Sequence, residues 1–165
     1  MIKTFTTFYE KKAVHNRLLI FFANCYYKHM VKKEVNLLTI QAHHRVVFIG
    51  GGALPMSAIL LKQKTGADIT VVDCDLDAME KGSAFVKKQG LALNFIHAHG
   101  EDLNPGVYDV IIVAKQVNAQ HCVLYNIINQ AKPQTKILMR YKPKNCSQLK
   151  SDNLVYDQSR WLYVV

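Results

Sequence analysis

The chain has 165 residues, half of them apolar and a fifth charged, which suits one folded domain and excludes both a disordered chain and two full domains. A formal net charge of +9 favours anionic partners in general. The basic residues are dispersed, however, as Lys32-Lys33, Lys87-Lys88 and Lys142 with Lys144, so they read as a solvated basic surface, and nucleic acid is disfavoured though not excluded by charge.

The first predicted element is a helix over residues 7–31. Phe8, Leu18, Leu19, Phe22, Tyr26 and Met30 include i, i+3, i+4 and i+8 spacings, the mark of one buried stripe. Its apolar run, residues 18–23, is too short to span a bilayer. Asn24-Cys25 is a poor cleavage site, so a buried amphipathic helix is expected rather than a membrane span or signal peptide. Tyr26 and Tyr27 are expected to make core and lid contacts. Residues 34–42 read as a second short helix or an extended linker, and His43-His44 as solvent-facing.

Strands and helices then alternate. Residues 45–49 form a predicted strand, and 55–64 a helix with Pro55 in its first turn, where a missing N–H costs nothing. Thr65-Gly66 stops that helix, and 68–74 is the second strand. Residues 77–89 read as a helix with Asp77 as N-cap and Gly90 at C′. Strands are expected at 91–98, 108–114 and 135–141, with an Asn104-Pro105-Gly106 turn and a helix at 119–131. Two short strands, 154–156 and 161–165, close the chain. Five βα-type units in succession predict a doubly wound, mainly parallel α/β sheet. A short N-terminal helical cap, residues 1–44, would precede the α/β domain, residues 45–165. Cys25, Cys74, Cys122 and Cys146 contain no C-x-x-C pair, so reduced thiols in a cytoplasmic protein are expected.

Ligands of such sheets bind at the carboxyl ends of the strands. There the first strand, Val46-Val-Phe-Ile, runs into Gly50-Gly51-Gly52, and Asp73, Asp75 and Asp77 close the second. Glycine at a strand-to-helix turn lets a ligand approach the backbone, and an acid on the neighbouring strand can hold ribose hydroxyls. A dinucleotide fingerprint would place a third glycine where this chain has Pro55. Proline also removes an N–H that a pyrophosphate would seek. A nucleoside cofactor without phosphates is therefore expected, and S-adenosylmethionine is such a molecule.

The run Gly50-Gly-Gly-Ala-Leu-Pro-Met56, continued by Ser57-Ala-Ile-Leu-Leu61, resembles class I S-adenosylmethionine-dependent methyltransferases and, within them, nicotianamine synthases. Those carry a glycine-small-glycine-proline-leucine-proline-leucine turn. Asp75-Leu-Asp77 is similar to the family's acid-x-acid pair, Tyr108 to Ala114 to its fourth strand, and Arg140 to an arginine after its fifth. The likeness covers residues 45–140, about three fifths of the chain. It implies a Rossmann-like methyltransferase fold and a cofactor site of Gly50, Gly51, Gly52, Leu54, Asp75, Leu76, His99, Gly100 and Lys115. In that site the glycines and Leu54 line the methionine and ribose, Asp75 holds the ribose, and Leu76 packs on adenine. His99 stands where an acid usually reaches the adenine amino group, with Glu101 or Asp102 able to replace it, and Lys115 borders the pocket.

The resemblance also implies a group transferase acting on a small-molecule acceptor, by methyl or aminocarboxypropyl transfer. Nicotianamine synthases use a glutamate from a helical N-terminal domain. Tyr9 and Asn16-Arg17-Leu18 loosely echo that domain, but the glutamate's place falls near Asn24, and Arg140 is followed by Tyr-Lys-Pro rather than the family's continuation. The pocket is thus expected to be kept and that catalysis lost, with a catalytically degenerate S-adenosylmethionine-binding or partner protein as the alternative. Glu10, Glu34, His99 and Tyr108 are unranked candidates for a base. His97-x-His99 puts two imidazoles on one strand face, but with no third ligand at a recognisable spacing a metal is not expected. Cys122 is expected to be buried as a small hydrophobe.

Overall fold

The computed structural model describes residues 17–118, 120–141, 154–157 and 160–164. Tyr9, Glu10, Asn16, Lys142, Lys144 and Cys146 lie outside them, as do the side chains of Leu18, Leu19, Phe22 and Asn24. Helix α1 (Arg17–Leu38) leads into β1 (Arg45–Ile49), α2 (Met56–Thr65), β2 (Asp68–Asp73), α3 (Leu76–Lys88) and β3 (Asn94–His97). Two 3-10 turns, Gly100–Asp102 and Pro105–Val107, then reach β4 (Val110–Val113), α4 (Gln120–Gln130), β5 (Lys136–Met139), β6 (Leu154–Asp157) and β7 (Arg160–Val164). The run of five βα units is thus broken among the described residues, since turns and no helix carry the chain from β3 to β4.

The seven strands form one sheet in the order β3-β2-β1-β4-β5-β7-β6. The first five are parallel, β7 is antiparallel to β5, and β6 is antiparallel to β7. This is the doubly wound sheet expected, and its order reverses between β1 and β4. Strand period two sorts the core into layers. Val46, Phe48, Ile69, Val71, Val110, Ile112 and Leu138 face a layer that includes α1 and α2. Val47, Ile49, Val72, Ile111, Val113, Ile137 and Met139 face Val123, Leu124 and Ile127 of α4. A third cluster joins Leu54, Met56 and Ile59 to Phe85 and Val86 of α3, with Tyr27 against it.

Four details depart from expectation. Helix α1 runs unbroken through residue 34, because Val31, Glu34, Val35 and Leu38 form one buried i, i+3, i+4, i+7 stripe. It ends at Thr39, whose φ is 49°, and Lys136 Nζ donates to the Leu38 carbonyl at 2.8 Å. The second half of α1 therefore shares its core with the sheet. Next, Asp75 rather than Asp77 caps α3, its carboxylate accepting from the Ala78 amide at 3.1 Å. Strand β2 stops at Asp73, so the helix starts earlier, and Asp77 in its first turn pairs with Lys81 at 2.8 Å. Cys122 is exposed, because α4 turns Val123, Leu124 and Ile127 inward instead. Tyr26 is 71% exposed and makes an edge contact with half-buried Tyr27.

The helix stops follow the sequence. Gly66 (φ 72°) ends α2 with its amide on the Lys62 carbonyl at 2.9 Å, and Gly90 (φ 68°) follows α3. At the amino end of the sheet, Asp109 accepts from the Arg45 amide at 2.7 Å and binds Lys132. Burial raises its carboxyl, but these two partners outweigh it and hold the group below the usual carboxylate range. No helix among the described residues is long and apolar enough to cross a membrane.

Candidate cofactor site

The loop after β1 is built from glycine because other parts of the protein press on it. Gly50 has φ 86°, and a Cβ there would lie 2.6 Å from Val117 Cγ2 in the loop after β4. At Gly51 a Cβ would meet Val71 Cγ1 at 2.1 Å. Gly52, with φ 65°, presents its carbonyl to α3, where Gly82 is required: a Cβ at Gly82 would come within 3.0 Å of that oxygen. Gly82 thus lets α3, the helix after the second strand, approach the loop backbone closely. A glycine inside a helix costs about 1 kcal/mol relative to alanine, which itself signals a packing demand.

The loop amides already have acceptors. Gly50 N donates to the Val72 carbonyl at 2.8 Å, and Gly51 N makes a longer 3.4 Å contact with the same oxygen. Gly52 N donates to Asp73 Oδ2 at 2.7 Å. Pro55 has no N–H, and Met56 N turns back to the Leu54 carbonyl at 2.7 Å. A pyrophosphate needs converging N–H donors and positive potential. This loop offers it a carboxylate instead.

The second side of the site is the turn after β2. Asp73 Oδ1 accepts from the Asp75 amide at 3.0 Å, so this carboxylate joins the glycine loop to the turn. The acid-x-acid pair at the strand end is accordingly Asp73 and Asp75, two residues before the pair expected. Asp75 is half-buried and Leu76 is 49% exposed, an apolar side chain in water beside a capping carboxylate. Asp73, Asp75, Asp77, Glu101 and Asp102 are five of the chain's twelve acidic residues, gathered on the turns after β2 and β3. Between the first two, burial and then the Asp73 charge push the Cys74 thiol up, with Asp75 and Glu101 adding to the effect.

The remaining expected residues fall on the neighbouring strand ends. His99 is exposed and precedes the Gly100–Asp102 turn. Gly100 lets that turn rest on the sheet, since a Cβ would lie 2.7 Å from Ile49 Cγ2 and 3.1 Å from Val123 Cγ2. His97 contacts the Cys74 carbonyl through Nε2 at 3.1 Å. Lys115 is exposed after β4, its carbonyl accepting from Gln120, and Gln116 Nε2 reaches the Gly50 carbonyl at 3.4 Å. Leu54 is only 8% exposed and packs into the cluster with Phe85 and Val86.

Two candidate bases are excluded by position. Tyr108 precedes β4 at the amino end of the sheet, with Arg45 over its ring at 5.8 Å. Glu34 is fully buried, and both of its oxygens bind Arg140: Nε donates to Oε1 at 2.9 Å and Nη2 to Oε2 at 2.8 Å. Arg140 also donates to Ser57 Oγ at 3.0 Å and lies 5.5 Å from the Phe48 ring centre. This bridge fastens α1 to the carboxyl end of β5. His99 is left at the strand ends, and Glu10 lies outside the described residues.

The model of the nicotianamine synthase protein family matches residues 4–147. The chain belongs to the nicotianamine synthase family. Among curated relatives, an L-histidine 2-aminobutanoyltransferase of Yersinia pestis is 30% identical over 113 residues, covering 67% of this chain and 42% of that protein. The protein so named from Pseudomonas aeruginosa (strain UCBPP-PA14) is 27% identical over 117 residues, 67% of this chain and 43% of its own. The chain thus spans about two fifths of these relatives' length. Among solved structures, a mutant of the protein abbreviated MtNAS in complex with S-adenosylmethionine superposes with a TM-score of 0.78 at 20% identity, over 96% of this chain and 71% of that one. An RNA methyltransferase from Salinibacter ruber, in complex with S-adenosyl-L-homocysteine, gives 0.65 at 17% identity over 81% of this chain and 87% of its own. Both likenesses show the shared fold.

Proposed function

We propose that this member of the nicotianamine synthase family binds S-adenosylmethionine at the carboxyl ends of β1 to β4 and transfers a 2-aminobutanoyl-type group to a small-molecule acceptor. The observation that carries the reading is the Gly52 amide on the Asp73 carboxylate. It puts negative charge where a dinucleotide would place phosphate, and so suits a phosphate-free cation. Asp75 would hold the ribose hydroxyls. A carboxylate accepts about four hydrogen bonds, so its capping bond to Ala78 is compatible with that role. Leu76 would cover adenine, and the Gly50–Gly52 backbone with Lys115 would border the amino-acid end. The turn at His99 and Gly100, with Glu101 and Asp102, would meet the adenine edge. Bound S-adenosylmethionine supplies a sulfonium whose carbon substituents are activated toward nucleophiles. The protein's part is to hold acceptor and cofactor in reactive proximity. Free Cys25, Cys74 and Cys122 support a reducing, cytoplasmic setting.

Titration calorimetry tests the reading. S-adenosylmethionine and methylthioadenosine should bind in the micromolar range and NAD should not; NAD binding with no S-adenosylmethionine binding would end it. Release of methylthioadenosine on incubation with candidate amines would identify aminobutanoyl-type transfer, and formation of S-adenosylhomocysteine would identify methyl transfer. A second reading, a non-catalytic S-adenosylmethionine-binding partner protein, draws on the confinement of Glu34 to its bridge with Arg140. Binding without turnover of any amine would favour it.

A further inference from the structure

Resting on the S-adenosylmethionine reading above, we propose that His97 is a positioning residue of the cofactor site, pinning the peptide unit before Asp75 and so aiming the carboxylate assigned to the ribose. That peptide unit runs from the Cys74 carbonyl to the Asp75 amide, and a side chain holds it at each end. The Asp75 N–H donates to Asp73 Oδ1 at 3.0 Å, and His97 Nε2 lies 3.1 Å from the Cys74 carbonyl oxygen. A carbonyl only accepts, so Nε2 carries the proton, as it does in one neutral tautomer and in the imidazolium alike. A peptide unit is planar, so fixing both of its poles fixes its tilt and the direction in which Asp75 leaves it.

His97 is the last residue of β3 and pairs in register with Asp73, and the Ala98 amide donates to the Asp73 carbonyl at 3.2 Å. The end of β3 thus grips the β2 turn at two successive carbonyls, those of Asp73 and Cys74. Asp75 then enters α3 as its N-cap, with φ -91° and ψ 103°, and its Oδ1 accepts from the Ala78 amide at 3.1 Å. Turning the peptide before it would swing this carboxylate away from the ribose. Among the described residues no cluster of three or more His, Cys, Asp or Glu side chains is placed to hold a metal. The imidazoles of His97-x-His99 instead have separate places: His97 is engaged with the Cys74 carbonyl, and His99 stands before the Gly100–Asp102 turn.

His97 is exposed on an edge strand, so its variants should keep the fold, which thermal midpoints would verify. Titration calorimetry with S-adenosylmethionine and methylthioadenosine would compare the wild type with His97→Gln, His97→Asn, Asp75→Ala and the double variant His97→Asn, Asp75→Ala. Glutamine can bring an N–H to the place of Nε2, whereas asparagine is too short to do so. Both ligands carry adenosine, so His97→Asn should weaken them alike, by about three- to tenfold, the scale of one net hydrogen bond. His97→Gln should stay within about twofold of the wild type. On the Asp75→Ala background the His97→Asn loss should shrink below about twofold, because a positioning residue acts only through the group it positions. A contribution to the fold alone would persist there. Unchanged affinity in His97→Asn, a His97→Gln variant as weak as His97→Asn, or losses that add in the double variant would overturn the inference and leave the cofactor reading standing. Failure of the wild type to bind either ligand would remove both.

Discussion

Breaking the bridge between Glu34 and Arg140 should unfold the protein more readily rather than disable its chemistry. Glu34 is fully buried and the Arg140 side chain is 13% exposed, so Glu34→Ala leaves a guanidinium with little water to replace its partner. Removing one member of a fully buried pair costs about 3–5 kcal/mol. Arg140 keeps its bond to Ser57 and its contact with the Phe48 ring, so we expect the lower part of that range, about 3–4 kcal/mol. For a domain of this size each kcal/mol lowers Tm by roughly 2–4 °C, a drop on the order of 5–15 °C. Urea unfolding of Glu34→Met, Arg140→Met and the double variant that carries both would give the coupling directly. The double variant, with two apolar groups filling the space, should lie closer to wild type than either single variant. A loss below about 0.5 kcal/mol in Glu34→Ala, together with abolished turnover, would refute the structural role and restore Glu34 as a base.

Gly51→Ala should cost about 1–3 kcal/mol through overpacking, because its methyl would collide with Val71 Cγ1. Since the collision is with a side chain, Gly51→Ala added to Val71→Ala should cost clearly less, and additive losses in urea unfolding would refute that cause. The depressed Asp109 carboxyl contributes stability that is complete above its unfolded pKa of about 4 and is lost as pH falls through its lower folded pKa. Asp109→Asn should therefore destabilise at pH 7 and flatten the stability profile below about pH 4. A parallel wild-type and variant profile in acid would show that the Arg45 and Lys132 contacts do not hold this charge.

The sheet was legible because its strands announce themselves. Val46 to Ile49, Ile69 to Val72 and Val110 to Val113 are nearly continuous β-branched or aromatic runs, as strands buried on both faces require. Gly66 and Gly90 marked helix ends through backbone conformations that local chemistry dictates. Helix phase was harder. Cys122 and Val123 are one residue apart, and only docking onto Ile137 and Met139 decides which turns inward. The sequence pattern assigns the cap to Asp77; because β2 stops at Asp73, the middle acid becomes the cap and the first a brace for Gly52. Glu34 resembled a free acid on a helix because Arg140 lies 106 residues away, beyond any local pattern. At the glycine turn Pro55 argues against phosphate from the sequence alone, but the crowding by Val71 and Val117 cannot be read from adjacent residues.

The clasp on α1 also has a history in time. Glu34 meets Arg140 across 106 residues, and the Leu38 carbonyl meets Lys136 across 98. At a synthesis rate of about 5–20 residues per second, the helix waits roughly 5–20 s for the strand that fastens it. During that interval its stripe of Val31, Val35 and Leu38 has α2 and the first strands to lean on, with Glu34 still without the Arg140 guanidinium. The newborn chain therefore passes through a stage with a loosely seated first helix, and the arrival of β5 locks it.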